Sequence, residues 1–303
     1  VWNLETDTFI ELSFIGERIP TFPYFSPTGH IFAVRTSNRL SVFDGETGSE
    51  IHYWEGNFGS GIWFNPSGQL LAFVDLTNFT ERYLVIWDVE NQQEIKRIST
   101  GSDLVTDLSF SVDGAYIAFI TARDLYKCSI SNTEIGECEV YFHSDDQYFF
   151  HMMITTNSQK ILLESLDQVL VLDVVNAQQS ETVEHTTPSA IIFFSQQVGD
   201  VLIVSNDDQP LLLNVLSGET VPIVDEFARF SPDFSIYVLG SGNDPYAVEE
   251  TLGLYSTASN ALLAEFTLIN SGGGGYIKFS PNGDYIVAQV PSGEIQFWGV
   301  PAN

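Results

Sequence analysis

The chain has 303 residues, with 11 Lys and Arg against 40 Asp and Glu, a formal charge of −29, and 44% of it is apolar. That balance excludes a nucleic-acid or anionic-membrane binder, because phosphate recognition works through Lys and Arg clusters that no window here contains. It also excludes disorder, since a chain this apolar and 13% aromatic can bury a large core.

At the amino end, Val1-Trp2-Asn3-Leu4 does not resemble a basic segment leading into an apolar signal, and there is no initiating Met. The expectation is a removed leader or a piece of a longer parent. FIELSF at 9–14 alternates like a strand. A short string then recurs: FSPTG at 25–29, FNPSG at 64–68, FSVDG at 110–114, ITTNS at 154–158, FSQQVG at 194–199, FSPDF at 230–234 and FSPNG at 279–283. The anchors Phe25, Phe64, Phe110, Ile154, Phe194, Phe230 and Phe279 are 36 to 49 residues apart, so the chain contains seven units of about forty residues.

Each unit reads as strands of period two, half-buried rather than helical. Behind the turns come HIFAV at 30–34, QLLAFV at 69–74, AYIAFI at 115–120, KILLES at 160–165, DVLIVS at 200–205, SIYVLG at 235–240 and DYIVAQ at 284–289. Third strands follow, as in YLVIWD at 83–88, and fourth strands after a polar turn, as in EIKRI at 94–98. Four strands per forty residues leaves no room for helices. Pro and Gly in FSPTG, FNPSG and FSPNG suit a tight reversal, and DGETGSE at 44–50 suits the hairpin between strands three and four. Each unit is thus a four-stranded antiparallel meander.

Such a unit resembles a blade of the WD-repeat and TolB-like β-propellers. Trp87-Asp88 matches the Trp-Asp pair at the end of the third strand, and Phe43-Asp44 and Leu172-Asp173 keep its Asp. Cys128-Ser129, Tyr255-Ser256 and Trp298-Gly299 depart from it, and no Gly-His dipeptide opens a blade, so the likeness is to a degenerate member. It implies one all-β, seven-bladed propeller over residues 1–303, with blades starting near 21, 60, 104, 149, 189, 226 and 275. The final unit supplies three strands, so 9–14 is expected to complete it; residues 1–5 read like a further third strand left from a preceding blade.

Cys128 and Cys138 fall on opposite arms of one hairpin, where cross-strand neighbours can form a disulfide or remain buried thiols. A bond would imply an oxidising compartment. Asn78-Phe79-Thr80 matches a glycosylation sequon in a polar loop. The His residues at 30, 52, 143, 151 and 185 lack metal-ligand spacing, so neither metal nor cofactor is expected. HSDD at 143–146, NDD at 206–208 and GNDP at 242–245 read as Asp-stabilised turns or weak calcium loops. Gly272–Gly275 reads as an inter-blade connection, and no G-x-S-x-G elbow is present.

The inter-blade loops bring Trp54, Phe58, Tyr148 and Phe149 forward as a candidate interaction face, or as rings packed under the loops. A low-charge, Lys-poor surface suits an extracytoplasmic protein, and its negative field favours cationic partners. The reading is a non-catalytic protein-interaction or scaffold module without membrane insertion. The rival is a hydrolase or lyase with an active site in the axial channel, for which His151 and Asp107, near the starts of inner strands, are the candidates.

Overall fold

The structure, a computed structural model, describes residues 2–3, 8–9, 24–78, 80–131, 134–166, 168–175, 179–184, 201–204, 211–214, 220–222, 228–231, 233–240, 249–269, 276–279, 285–289 and 295–299. Every regular element among them is a strand. The chain divides into two compact units, Val1–Val183 and Glu184–Asn303.

In the first unit β1 (Trp2–Asn3) pairs with β2 (Thr8–Phe9). Sheet one is β3 (Tyr24–Phe25), β4 (Ile31–Arg35), β5 (Arg39–Asp44) and β6 (Glu50–Glu55). Sheet two is β7 (Phe58–Phe64), β8 (Leu70–Asp75), β9 (Arg82–Asp88) and β10 (Gln93–Gly101). Sheet three is β11 (Val105–Phe110), β12 (Tyr116–Thr121), β13 (Asp124–Ser131) and β14 (Glu134–His143). Sheet four is β15 (His151–Ile154), β16 (Lys160–Glu164), β17 (Gln168–Asp173) and β18 (Gln179–Glu184).

In the second unit sheet five is β19 (Val201–Val204), β20 (Leu211–Asn214) and β21 (Thr220–Pro222). Sheet six is β22 (Arg229–Phe230), β23 (Ile236–Gly240), β24 (Glu249–Ser256) and β25 (Leu262–Ile269). Sheet seven is β26 (Tyr276–Phe279), β27 (Tyr285–Gln289) and β28 (Ile295–Gly299). Each sheet runs in chain order with antiparallel neighbours, the meander that the repeats imply. Of the segment 9–14, Phe9 pairs with Trp2 and residues 10–14 lie outside the described residues. So do Gly272–Gly275, NDD at 206–208 and GNDP at 242–245.

The second strands of the sheets are not half-buried, as their period suggests, but buried on both faces. Successive side chains of a strand point to opposite sides. In β8, Leu70, Ala72 and Val74 join Leu108, Phe110, Ile117 and Phe119 of sheet three, while Leu71 and Phe73 join Ala33, Leu40 and Val42 of sheet one. In β12, Ile117 and Phe119 face sheet two, and Tyr116, Ala118 and Ile120 face Met152, Ile161 and Leu163 of sheet four. A sheet flanked by sheets on both sides needs two apolar faces, which is why AYIAFI is a continuous run. The outermost strands β6, β10 and β14 are bulged against their neighbours and largely exposed, which blunts an open edge.

The recurrent string forms one turn wherever it is described. The backbone carbonyl of the polar residue after each anchor accepts a hydrogen bond from the amide three residues on: Gly29, Gly68, Gly114, Ser158 and Phe234 donate to Ser26, Asn65, Ser111, Thr155 and Ser231. The side chains of those five polar residues accept the amides of Ile31, Leu70, Tyr116, Lys160 and Ile236. The donors to the carbonyls all have positive φ, from 53° at Phe234 to 74° at Gly29 and Gly68. The Asp of the Trp-Asp pattern caps the next turn: Asp88 Oδ1 accepts the Asn91 amide at 2.8 Å, and Asp44 Oδ1 accepts that of Thr47 at 2.7 Å.

In that second turn Gly48 has φ 68°, and the equivalent place in sheet two holds the exposed Gln92 at φ 52°. A side chain in the left-handed region costs about 1 kcal/mol. Gln92→Gly should therefore stabilise the protein by roughly 0.5–1 kcal/mol, read as a higher denaturant midpoint with unchanged slope. An unchanged or lower midpoint would show that the position carries no strain.

Candidate functional site

Asp107 on β11 and His151, the first residue of β15, both lie three residues before their repeat anchors, so the repeat places them at the same level of successive inner strands. An irregularity in the pairing between Val105 and Asp107 falls just before Asp107, and bulges of this kind re-aim a side chain. The carboxylate ties three sheets together. Its Oδ1 accepts the Trp63 indole N–H at 3.3 Å and the Leu108 amide at 2.8 Å. Its Oδ2 accepts the Met152 amide at 3.0 Å and lies 3.5 Å from His151 Nδ1. Trp63 reaches it because a Cβ on Gly61 would fall 1.8 Å from the indole ring; only Gly lets the ring fold back over β7.

Directly across from His151 in the β15–β16 register stands Glu164, only 5% exposed. Its Oε2 is buried and accepts no hydrogen bond from the described residues. Burial pushes its pKa up to about 7, the Asp107 charge adds to that, and His151 opposes it. The bond to Asp107 raises the pKa of His151, with burial working against it. Since Nδ1 faces Asp107, Nε2 remains for a ligand or a proton. The imidazole side chain is 62% exposed and so is reachable from solvent.

The connection from β14 to β15 borders this cluster and is firmly held. Arg123 Nη2 donates to the Tyr148 hydroxyl at 3.0 Å, its guanidinium lies 4.4 Å from that ring's centre, and Nη1 donates to the Asp145 carbonyl. His143 bridges Asp124 at 2.6 Å and Asp145 at 3.3 Å. The Phe149 amide donates to Ala122 O at 2.8 Å and that of Phe150 to Glu164 O at 3.0 Å. In an antiparallel meander this loop, the β10–β11 loop and the β16–β17 turn share one end of the sheets. That end exposes Leu104 (41%), Tyr148 (52%), Phe150 (38%) and Leu166 (60%).

Of the four aromatics expected on an interaction face, Tyr148 presents its ring to solvent. Phe58 and Phe149 are core residues, and Trp54 is half-buried, its ring 4.7 Å from Phe73 and 5.1 Å from Trp87. Phe58 and Phe149 therefore have no solvent side to offer a partner, and Trp54 offers only part of its ring. Cys128 and Cys138 pair in register and are disulfide-bonded. Asn78 is exposed, its Oδ1 accepting the Thr80 amide at 3.0 Å and hydroxyl at 2.9 Å. HSDD at 143–146 is engaged as described, and no group of three His, Cys, Asp or Glu among the described residues could hold a metal. The sequence reading missed Glu164, Trp63 and Leu166. The available signal for Glu164 was a lone carboxylate ending the apolar strand KILLES.

No protein-family model and no curated protein matches the sequence. Solved structures do. The β-propeller domain of Myceliophteria thermophila Cps50 (Swd1) superposes with a TM-score of 0.66 at 13% identity, over 93% of this chain and 97% of that one. Kuenenia stuttgartiensis hydrazine synthase gives 0.61 at 11% identity, over 96% and 100%. A structure described as the eukaryotic initiation factor gives 0.59 at 12% identity, over 95% and 87%. Joined to the repeated antiparallel meanders, this likeness shows that the chain has a β-propeller fold.

Proposed function

We propose that the chain is a seven-bladed β-propeller serving as a non-catalytic protein-interaction module, in a setting outside the cytoplasm. The observation that carries this reading is the exposed apolar group Leu104, Tyr148, Phe150 and Leu166, set on connections that side-chain and backbone bonds hold in place. Pre-ordered aromatic and apolar side chains lose little entropy on binding, which makes them suitable anchors for a partner. The fold supports the same role, since sheets fixed by two-sided packing position variable loops. Seven repeats, and seven sheets of three or four strands beside the β1–β2 pair among the described residues, support the blade number, and a strand at 9–14 would fill the outer place of the last. The disulfide supports an oxidising compartment.

The Asp107–His151 contact favours a second reading, an acid–base enzyme in the propeller channel. The polar contact shown for the His151 ring is with Asp107, which orients a base without supplying a nucleophile. One experiment separates the two. The natural chain and a Tyr148→Ser/Leu166→Asp variant are immobilised, and the proteins they retain from native extract are compared by mass spectrometry. A partner held by the natural chain and lost from the variant is the expected outcome. Identical retention, together with ester or lactone turnover abolished by His151→Ala, would replace the module with the enzyme.

A further inference from the structure

The β14–β15 loop is fastened at its start by one ring between two carboxylates. His143 ends β14 directly across from Asp124 of β13, and its Nδ1 lies 2.6 Å from Asp124 Oδ1. Its Nε2 lies 3.3 Å from Oδ1 of Asp145, two residues further along the chain. A neutral imidazole carries one N–H and one lone pair, and only the imidazolium donates from both nitrogens. The two-sided bridge therefore belongs to the charged ring. Without that proton the shorter contact keeps the N–H on Nδ1, and the Nε2 lone pair is left facing a carboxylate that it repels. Asp145 also carries the next fastening. Its carbonyl accepts Arg123 Nη1, while Arg123 Nη2 donates to the Tyr148 hydroxyl at 3.0 Å with the guanidinium 4.4 Å from that ring's centre. Within the loop the Gln147 amide donates to Ser144 Oγ at 3.1 Å. The charged groups about the His143 ring are Asp124, Asp145 and Asp146 with Arg123; sheet two meets β14 through Lys96, which is engaged by Glu137 at 3.3 Å.

We infer that His143 is a proton-operated clasp on the β14–β15 loop: charged, it joins Asp124 to Asp145 and steadies the Arg123–Tyr148 pair, and neutral, it lets Asp145 go. The bond to Asp124 raises the pKa of the ring above 6.5, with partial burial opposing and Asp145 adding to the rise. The clasp is thus closed below 6.5 and opens as the pH climbs through a value above it. Its hold is modest, because His143 is 51% and Asp145 93% exposed. Ion pairs in that setting move a local equilibrium by about two- to fivefold. The inference concerns the loop and not what binds there, so its failure leaves the interaction reading standing; its success would mean that Tyr148 is held in place in mild acid and loosened in mild alkali.

Amide hydrogen exchange of the whole chain, followed by NMR from about pH 5.5 to about pH 8.5 at fixed ionic strength, tests this. Each rate is divided by that of an unstructured chain at the same pH, which removes the intrinsic pH dependence of exchange. Protection of the Gln147 amide should fall by about two- to fivefold, with its midpoint where the His143 ring signals titrate. Asp145→Asn keeps the shape of the side chain without its charge; it should lower the pKa of His143 and abolish the step in protection. Glu164→Gln removes the other carboxyl that titrates near neutrality and should leave the step in place. The absence of a step, a midpoint away from that of His143, a step that persists in Asp145→Asn or one that vanishes in Glu164→Gln would overturn the inference. If Glu164→Gln does not fold, Asp145→Asn decides alone, since a side chain 93% exposed can be changed without touching the core.

Discussion

Raising the pH from about 5 to about 7.5 is expected to remove about 2 kcal/mol of folding stability through Glu164, and Glu164→Gln is expected to abolish that slope. In the folded chain burial moves this carboxyl from 4.5 to about 7. Between those values the native state holds a proton that the unfolded chain has already released, so stability falls as pH rises. His151 works in the same direction, because Asp107 raises its pKa above 6.5 and its contribution disappears as pH climbs through the folded value. Asp44 works in the opposite direction: the Thr47 amide lowers its pKa below 3.8, so its contribution disappears only in acid. Gln matches the shape of the protonated acid without titrating. Urea unfolding at several pH values, read for both chains, gives the comparison; parallel curves would show that Glu164 is hydrated or already paired in the folded state.

Trp87→Ala should destabilise the protein by about 3–5 kcal/mol. The indole is 1% exposed and sits at the boundary between sheets one and two, its ring centre 5.1 Å from Trp54 and 5.2 Å from His52. Removing it empties a space in a cluster that includes Val42 of sheet one with Phe73 and Val85 of sheet two, and strands within a hydrogen-bonded ladder cannot close in to fill it. The denaturant midpoint should fall with an unchanged slope, and Trp54 emission should move to longer wavelength as its neighbour goes. A loss below about 1 kcal/mol would mean that the two sheets slide together and that their spacing is not set by this ring.

The repeat period, the meander within each unit and the turn residues were legible because they are local: Pro, Gly and Ser in FSPTG dictate one backbone path, and alternation dictates strands. Two-sided burial was harder to read, since Leu70 and Leu71 look alike in sequence and only the flanking sheets show that they face different neighbours. The candidate site was legible by halves. His151 and Asp107 declared themselves as polar residues at equivalent points of successive units, but their 3.5 Å approach depends on how one sheet leans on the next. Glu164 gave only a carboxylate ending an apolar run, and its isolation becomes visible once the opposite strand is in register. Phe58, Phe149 and Trp54 misled because an aromatic beside a loop has the same letters whether it faces solvent or the adjoining sheet.

The turn after each anchor accepts several spellings. Gly, Ser and Phe occupy its left-handed position in turn, and Ser, Asn and Thr share the role of bridging its two ends. The turn is thus specified by a pattern of donors and acceptors and not by particular letters, so five differently spelled repeats keep one backbone path. A scaffold specified in that way shares little spelling with others of its shape, and this chain superposes over nearly its whole length on structures to which it is 11–13% identical.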